Sequence, residues 1–199
     1  MSNTVDNDKR RFLTTAASVV VGGAGAAVAA VPFVSAMLPS AKAQAAGAPV
    51  EVDISKLELG QLMTIEWRGK PVWIYRRTPE TVTDLTLQND SLKDPESTVS
   101  KQQPDYCVNE SRSIREELMV LVGVCTHLGC SPTYRPELAP EDLGPEWKGG
   151  FFCPCHGSRF DLAGRVFQGV PAPINLQVPP HHFLGDNRIV IGEDTQGAA

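Results

Sequence analysis

Apolar and polar positions divide this chain into three stretches. From Phe12 to Ala41 there is no charged residue, a run of 30, and Lys9, Arg10 and Arg11 stand directly before it. A helix of that length, at about 1.5 Å per residue, exceeds the ~30 Å of a bilayer core. Residues 39–49 are small, almost uncharged and without core formers, and read as a mobile linker. Beyond them the apolar residues come in short groups. Val50 to Ile54, 62–68 and 72–76 alternate as strands do, the last two joined by Gly69-Lys70 as a hairpin that Pro71 weakens. Thr78-Pro79-Glu80 supplies a cap, a first-turn proline and a first-turn acid, predicting a helix over 79–93. Residues 94–116 are polar and broken by Pro95 and Pro104, so they read as loop. Leu118 to Val124 is continuously apolar and predicts a buried strand. Residues 131–150 hold four prolines and predict an irregular excursion. Residues 159–161, 164–167, 175–178, 182–184 and 188–191 complete a set of short strands. Many strands and one helix make the external part a mostly β, largely antiparallel fold.

The basic residues before the span place its N-terminus in the cytoplasm and the rest of the chain outside. Arg10-Arg11-Phe12-Leu13 resembles a twin-arginine export signal, a route that carries folded proteins. A basic stop beside a membrane span explains the same arginines. A signal peptide cut at Ala43-Gln44-Ala45 is the alternative to an anchor, but the apolar run is longer than the ~7–15 residues such peptides use. The expected organisation is a cytoplasmic segment at 1–11, an anchor at 12–38, a hinge at 39–49, an external domain at 50–194 and a tail at 195–199. A net charge of −5 argues against nucleic acid as a partner.

Four of the five cysteines and two of the four histidines fall in two hexapeptides, Cys125-Thr126-His127-Leu128-Gly129-Cys130 and Cys153-Pro154-Cys155-His156-Gly157-Ser158. Clustered Cys and His point to a metal. A structural zinc keeps its Cys pair and its His pair together, whereas here each loop offers both. A [2Fe–2S] centre with two thiolates on one iron and two imidazoles on the other needs that alternation. Cys125 and Cys153 would bind one iron, His127 and His156 the other. The further Cys in each loop leaves a disulfide open, which would require an oxidising compartment. Cys107 reads as an inert thiol, and His181 and His182 as strand-end residues.

The two hexapeptides resemble those of the Rieske iron–sulfur subunit of the quinol–cytochrome c oxidoreductase, the cytochrome bc complex, and most of all its proteobacterial members. So do the basic N-terminus, the single span, the Ala-rich hinge, Arg76-Arg77-Thr78-Pro79-Glu80, Gln103-Pro104-Asp105 and Gly169-Val170-Pro171-Ala172-Pro173. The resemblance implies a Rieske-type antiparallel β-sandwich with a cluster-binding subdomain near 124–173. It implies one [2Fe–2S] cluster on Cys125, His127, Cys153 and His156, and a Cys130–Cys155 disulfide tying the loops. Ser158 matches a serine that hydrogen-bonds the cluster's surroundings. Leu128, Gly169, Pro171 and Pro173 match the docking surface, and His156 the imidazole that faces quinol.

The implied activity is one-electron oxidation of ubiquinol at the bacterial inner membrane, with proton release, and delivery of the electron to a membrane-bound c-type cytochrome. Cytochrome b, the lipid bilayer and a dimeric complex are the implied surroundings, with the Rieske domain in the periplasm. A departure is Phe160, where the family carries a tyrosine whose hydroxyl is a further donor; its loss implies a lower reduction potential. Competing readings are the Rieske subunit of another exported oxidoreductase, similar to an arsenite oxidase small subunit, and a zinc-binding domain on a membrane anchor.

Overall fold

The computed structural model describes residues 6–193. Residues 1–5 of the expected cytoplasmic segment, residue 194 and the tail at 195–199 lie outside the described residues. The chain divides into two compact units that meet between Ala45 and Ala46.

The first unit is dominated by one helix, α1 (Asn7–Ala36), whose first turn is capped by the Asp6 carboxylate accepting from the Asp8 and Lys9 N–H groups at 3.2 Å each. It is long and apolar enough to cross a membrane, with no residue buried by the protein itself. A second helix, α2 (Ala41–Ala46), occupies part of the stretch read as a mobile linker. Its cause is simple: alanine is the strongest helix former, and Ser40 Oγ accepts from the Ala43 N–H as a cap should. Six residues remain too few for a helix that is stable by itself.

Among its described residues the second unit holds nine strands in three antiparallel sheets of three. Strands β1 (Val50–Asp53), β9 (Arg188–Ile191) and β8 (His181–Phe183) pair in that order. Strands β2 (Leu62–Trp67), β3 (Lys70–Arg76) and β4 (Leu118–Val122) form the second sheet, and β5 (Thr133–Arg135), β6 (Gly150–Cys153) and β7 (Ser158–Phe160) the third. The middle of the molecule is β3 and β4. Val72 and Ile74, with Leu118, Val120 and Val122, face the first sheet and its Val52, Ile189 and Ile191. Trp73, Tyr75, Met119 and Leu121 face the opposite way, onto α3 (Pro79–Leu87) and the third sheet. A strand covered on both faces is apolar at every position, which is why 118–122 shows no alternation.

Several boundaries differ from expectation. The hairpin turn is Arg68-Gly69, both at positive φ (51° and 70°), the type I′ geometry that suits twisted strands; Lys70 already pairs with Trp67. Helix α3 stops at Leu87 and a 3₁₀ turn covers Asn89–Ser91. The excursion contains β5, three residues too short to show a period. Residues 164–167 and 175–178 are not strands. Val166 and Phe167 make single bridges, to Phe160 and Leu92, and prolines on either side of 174–178 withhold ladder donors.

This irregular chain is held by three buried arginines. Arg77 donates to the carbonyls of Ser111, Glu116 and Leu162, Arg112 to those of Ala163 and Leu176, and Arg165 to Leu85 and Pro95. Asp161, also fully buried, pairs with Arg165 at 2.7 Å. Burial lowers the pKa of Arg77 and of Arg112 to about 10, with Asp161 pulling the other way, so both stay charged at neutral pH.

Cys107 sits in the same core, and burial pushes its thiol up to about 12 against the opposing Arg112 charge. Since the thiolate is the nucleophile, a thiol held so far above neutral pH is a poor one. We predict that iodoacetamide leaves Cys107 unmodified in the native protein and alkylates it in guanidinium. Peptide mass mapping checks this; native labelling at the rate of an open cysteine would contradict it.

Candidate metal centre

The two hexapeptides form matching loops at one end of the second unit. Each begins on a buried cysteine, Cys125 three residues beyond β4 and Cys153 at the end of β6, and closes four residues later: Gly129 N–H donates to the Cys125 carbonyl at 3.0 Å and Gly157 N–H to the Cys153 carbonyl at 2.9 Å. Both glycines have positive φ (85° and 75°), which other residues adopt at a cost. The first loop is locked again where Cys125 N–H donates to the Cys130 carbonyl at 2.7 Å.

A disulfide joins Cys130 to Cys155, as expected, closing a stretch of 25 residues. A crosslink over that span stabilises a fold by about 3–4 kcal/mol on the chain-entropy account. The Cys153 sulfur lies within 4.8 Å of both disulfide sulfurs. Because those two are bonded to each other, the thiols left to bind a metal at this tip are Cys125 and Cys153, both buried. They interact directly. Burial raises the Cys125 thiol above its ordinary value and the Cys153 sulfur adds to that, while the nearby His127 N–H and Ser158 hydroxyl oppose it.

The His127 and His156 ring centroids stand 4.8 Å apart, edge to face at 85°. His156 is exposed and His127 half-buried, while Leu128 in the first loop is 71% exposed. The donor set is therefore sorted by depth, with thiols inside and imidazoles outside. It fits a two-iron cluster with chemically different ends, and it fits a zinc site with paired ligands poorly.

The Gly169–Pro173 segment lies beside the loops. Its Ala172 N–H donates to Ser158 Oγ at 3.0 Å, and Thr126 Oγ1 donates to the Ile174 carbonyl at 2.6 Å. Gly169, Pro171 and Pro173 are exposed and Val170 and Ala172 buried. Beneath the loops the Phe151 ring stacks on Trp73 (4.7 Å, 13°) and Phe160 is fully buried with Cys125 and Cys153 in one core. Tyr134 packs on Tyr75 and Phe151 and donates from its hydroxyl to the Gly60 carbonyl at 2.9 Å, seating the third sheet on the second.

Of the residues singled out from sequence, Cys125, His127, Cys153, His156, Ser158, Cys130 and Cys155 come together at this tip. His181 and His182 do not. His181 is buried in β8, its Nδ1 is 2.8 Å from the Pro179 carbonyl, and burial pushes its pKa down to about 4. Thr126, Tyr134 and Lys93 escaped sequence reasoning. Thr126 sits inside a recognised motif, but Tyr134 and Lys93 lie in segments whose path over the site no local pattern reveals.

Comparison with known proteins finds relatives along nearly the whole chain. The Rieske [2Fe-2S] domain family matches residues 49–180, and the family described as "Ubiquitinol-cytochrome C reductase Fe-S subunit TAT signal" matches residues 1–40. The ubiquinol-cytochrome c reductase iron-sulfur subunit of Allochromatium vinosum is 60% identical over 96% of this chain and 92% of its own length. That of Bradyrhizobium diazoefficiens is 42% identical over 96% and 98%. A chain of the solved structure "Hyperthermophilic respiratory Complex III" is 29% identical, covering 89% of this chain and 97% of its own, with a TM-score of 0.48. These matches run from the N-terminal signal through both loops, and the chain belongs to the family of ubiquinol–cytochrome c reductase iron–sulfur subunits.

Proposed function

We propose that this chain carries one electron at a time from ubiquinol to a membrane-bound c-type cytochrome within a cytochrome bc complex. The observation that carries the proposal is the depth-sorted tip: two free buried thiols and two adjacent imidazoles, of which His156 is exposed. Cys125 and Cys153 would hold one iron and His127 and His156 the other. When bound, the cluster supplies a one-electron acceptor whose charge alters the proton affinity of its imidazole ligands.

The chain's own residues do the rest. His156 presents an imidazole nitrogen to solvent, able to accept the quinol hydroxyl's hydrogen bond and hold its proton; His127, less exposed, shares that face. Leu128 and the exposed Gly169, Pro171 and Pro173 supply an apolar rim, suited to a partner that excludes water around the quinol. Ser158 and the backbone N–H of His127 lie beside the Cys125 sulfur and would donate toward it, and donors to sulfur favour the reduced, more negative state. The Cys130–Cys155 disulfide keeps two competing sulfurs from the metal.

The quinol site would lie against cytochrome b, with α1 anchoring the chain in the inner membrane, N-terminus cytoplasmic and the Rieske unit periplasmic. Full-length similarity to named bc-complex subunits and the matched export signal support this reading over an arsenite oxidase-like subunit. Residues 39–49 would be the hinge on which the Rieske unit moves between donor and acceptor.

Electron paramagnetic resonance of the dithionite-reduced protein tests the assignment. A Rieske g-pattern that responds to a quinone-site inhibitor is expected; its absence in metal-replete protein would leave zinc standing. A second expectation concerns Phe160, which brings no hydroxyl to the core it shares with Cys125 and Cys153. Redox titration of Phe160→Tyr should give a midpoint above wild type, within the Rieske range of about −150 to +300 mV; an unmoved midpoint refutes the missing-donor argument. Third, prolines at Ala43–Ala46 should break α2, stiffen the hinge and slow quinol–cytochrome c turnover while the cluster spectrum is unchanged. Wild-type turnover in that variant would remove the hinge.

A further inference from the structure

The Gly169–Pro173 loop poses a hydrogen-bonding problem. Pro171 and Pro173 have no N–H, so across 171–173 the backbone offers a single donor, the Ala172 amide. The carbonyls of Val170 and Ala172 belong to the two peptides that precede those prolines. Val170 and Ala172 are buried, and buried carbonyls need partners. One side chain serves both: Lys93 Nζ donates to the Val170 carbonyl at 2.7 Å and to the Ala172 carbonyl at 2.7 Å. The loop's single donor goes to Ser158 Oγ at 3.0 Å.

Lys93 is itself fixed. Its N–H donates to the Val166 carbonyl at 2.9 Å, Leu92 bridges Phe167, and the next residue's carbonyl accepts from Asn175 Nδ2 at 2.9 Å. Gln168 closes the same seam, donating to the Asp90 and Leu92 carbonyls through its side chain and to the Ser91 carbonyl through its N–H. Lys93 thus reaches the loop from a firm base.

We propose that Lys93 is a positioning residue for electron transfer: its ammonium clamps the Gly169–Pro173 loop and, through the Ala172–Ser158 hydrogen bond, orients the hydroxyl of Ser158, which pairs with Cys153 across β6 and β7. A hydroxyl that accepts from a backbone N–H keeps its proton for another acceptor, and a sulfur at this tip would be that acceptor. Releasing the loop frees the Ala172 amide, lets the Ser158 hydroxyl rotate and weakens that donation. The reduced cluster is the state that needs that bond most, so the midpoint falls. The same clamp holds Pro171 and Pro173 at the exposed rim, coupling potential to quinol binding. This rests on Cys125 being a cluster ligand, as proposed above.

The test uses full-length protein with its cluster, comparing Lys93→Met, Lys93→Gln and Lys93→Arg by redox titration and electron paramagnetic resonance. Lys93→Met should retain the Rieske spectrum and shift the reduced-to-oxidised ratio at fixed potential about threefold toward oxidised, about 30 mV at 59 mV per decade for one electron. Lys93→Gln, keeping one donor, should fall between, and Lys93→Arg, with several donors, should restore the wild-type midpoint. Amide hydrogen exchange at Ala172 should quicken about tenfold in Lys93→Met.

In a Ser158→Ala background the Lys93→Met shift should largely vanish, because the two act in series. An unmoved midpoint with an intact spectrum overturns the proposal, and so does a full shift that persists without the Ser158 hydroxyl, which would make Lys93 a distant charge only. If Lys93→Met fails to hold a cluster, the Gln and Arg variants carry the same comparison. A wild-type protein lacking the Rieske spectrum would instead refute the cluster assignment on which this rests.

Discussion

Buried irregular backbone is the condition that the rest of this structure must satisfy. Long stretches of the second unit, 94–116 and 161–178, form no strands, yet they run through the interior where a carbonyl without a donor costs free energy. Arg77, Arg112 and Arg165 answer with planar, multi-donor side chains that each reach several carbonyls at once. The cysteines at the base of the two loops share a buried apolar core with Trp73, Phe151 and Phe160, and the arginines hold the irregular chain around it. Asp161, the partner of Arg165, directly follows Phe160 at the end of β7, so the buried charges and the metal-binding tip share one short segment.

The same economy recurs around the proposed ligands. Each loop closes on a glycine at positive φ, the two are bonded to each other by a disulfide, and each is tied by a hydroxyl to the proline-rich segment nearby: Thr126 to the Ile174 carbonyl, Ser158 to the Ala172 amide. None of these ties relies on extended apolar contact. Preorganisation here comes from covalent closure and local hydrogen bonding, which suits a site whose imidazoles must remain at the surface.

Much of the site was legible because its chemistry is local. A Cys, a His and a second Cys within six residues, repeated once, can be recognised without knowing the fold. So could β1 to β4 and β9, where side-chain alternation or unbroken burial spans four residues or more. What was illegible is non-local. Lys93 looked like the last turn of a polar helix, and its function depends on a loop 77 residues away. Arg112 sat in a segment read as polar loop and is fully buried. Residues 175–178 carried a strand's alternation, but flanking prolines denied them a ladder. The alanine-rich linker was read through its lack of core formers, although the same composition favours α2.

The depth sorting of the tip has a further meaning. With sulfurs buried and imidazoles outward, the proposed centre would meet other molecules at its imidazole face. A donor and an acceptor that both use that face would occupy it in turn, each excluding the other. Traffic through the site would then be sequential, and a partner that lingers would inhibit the step it does not perform.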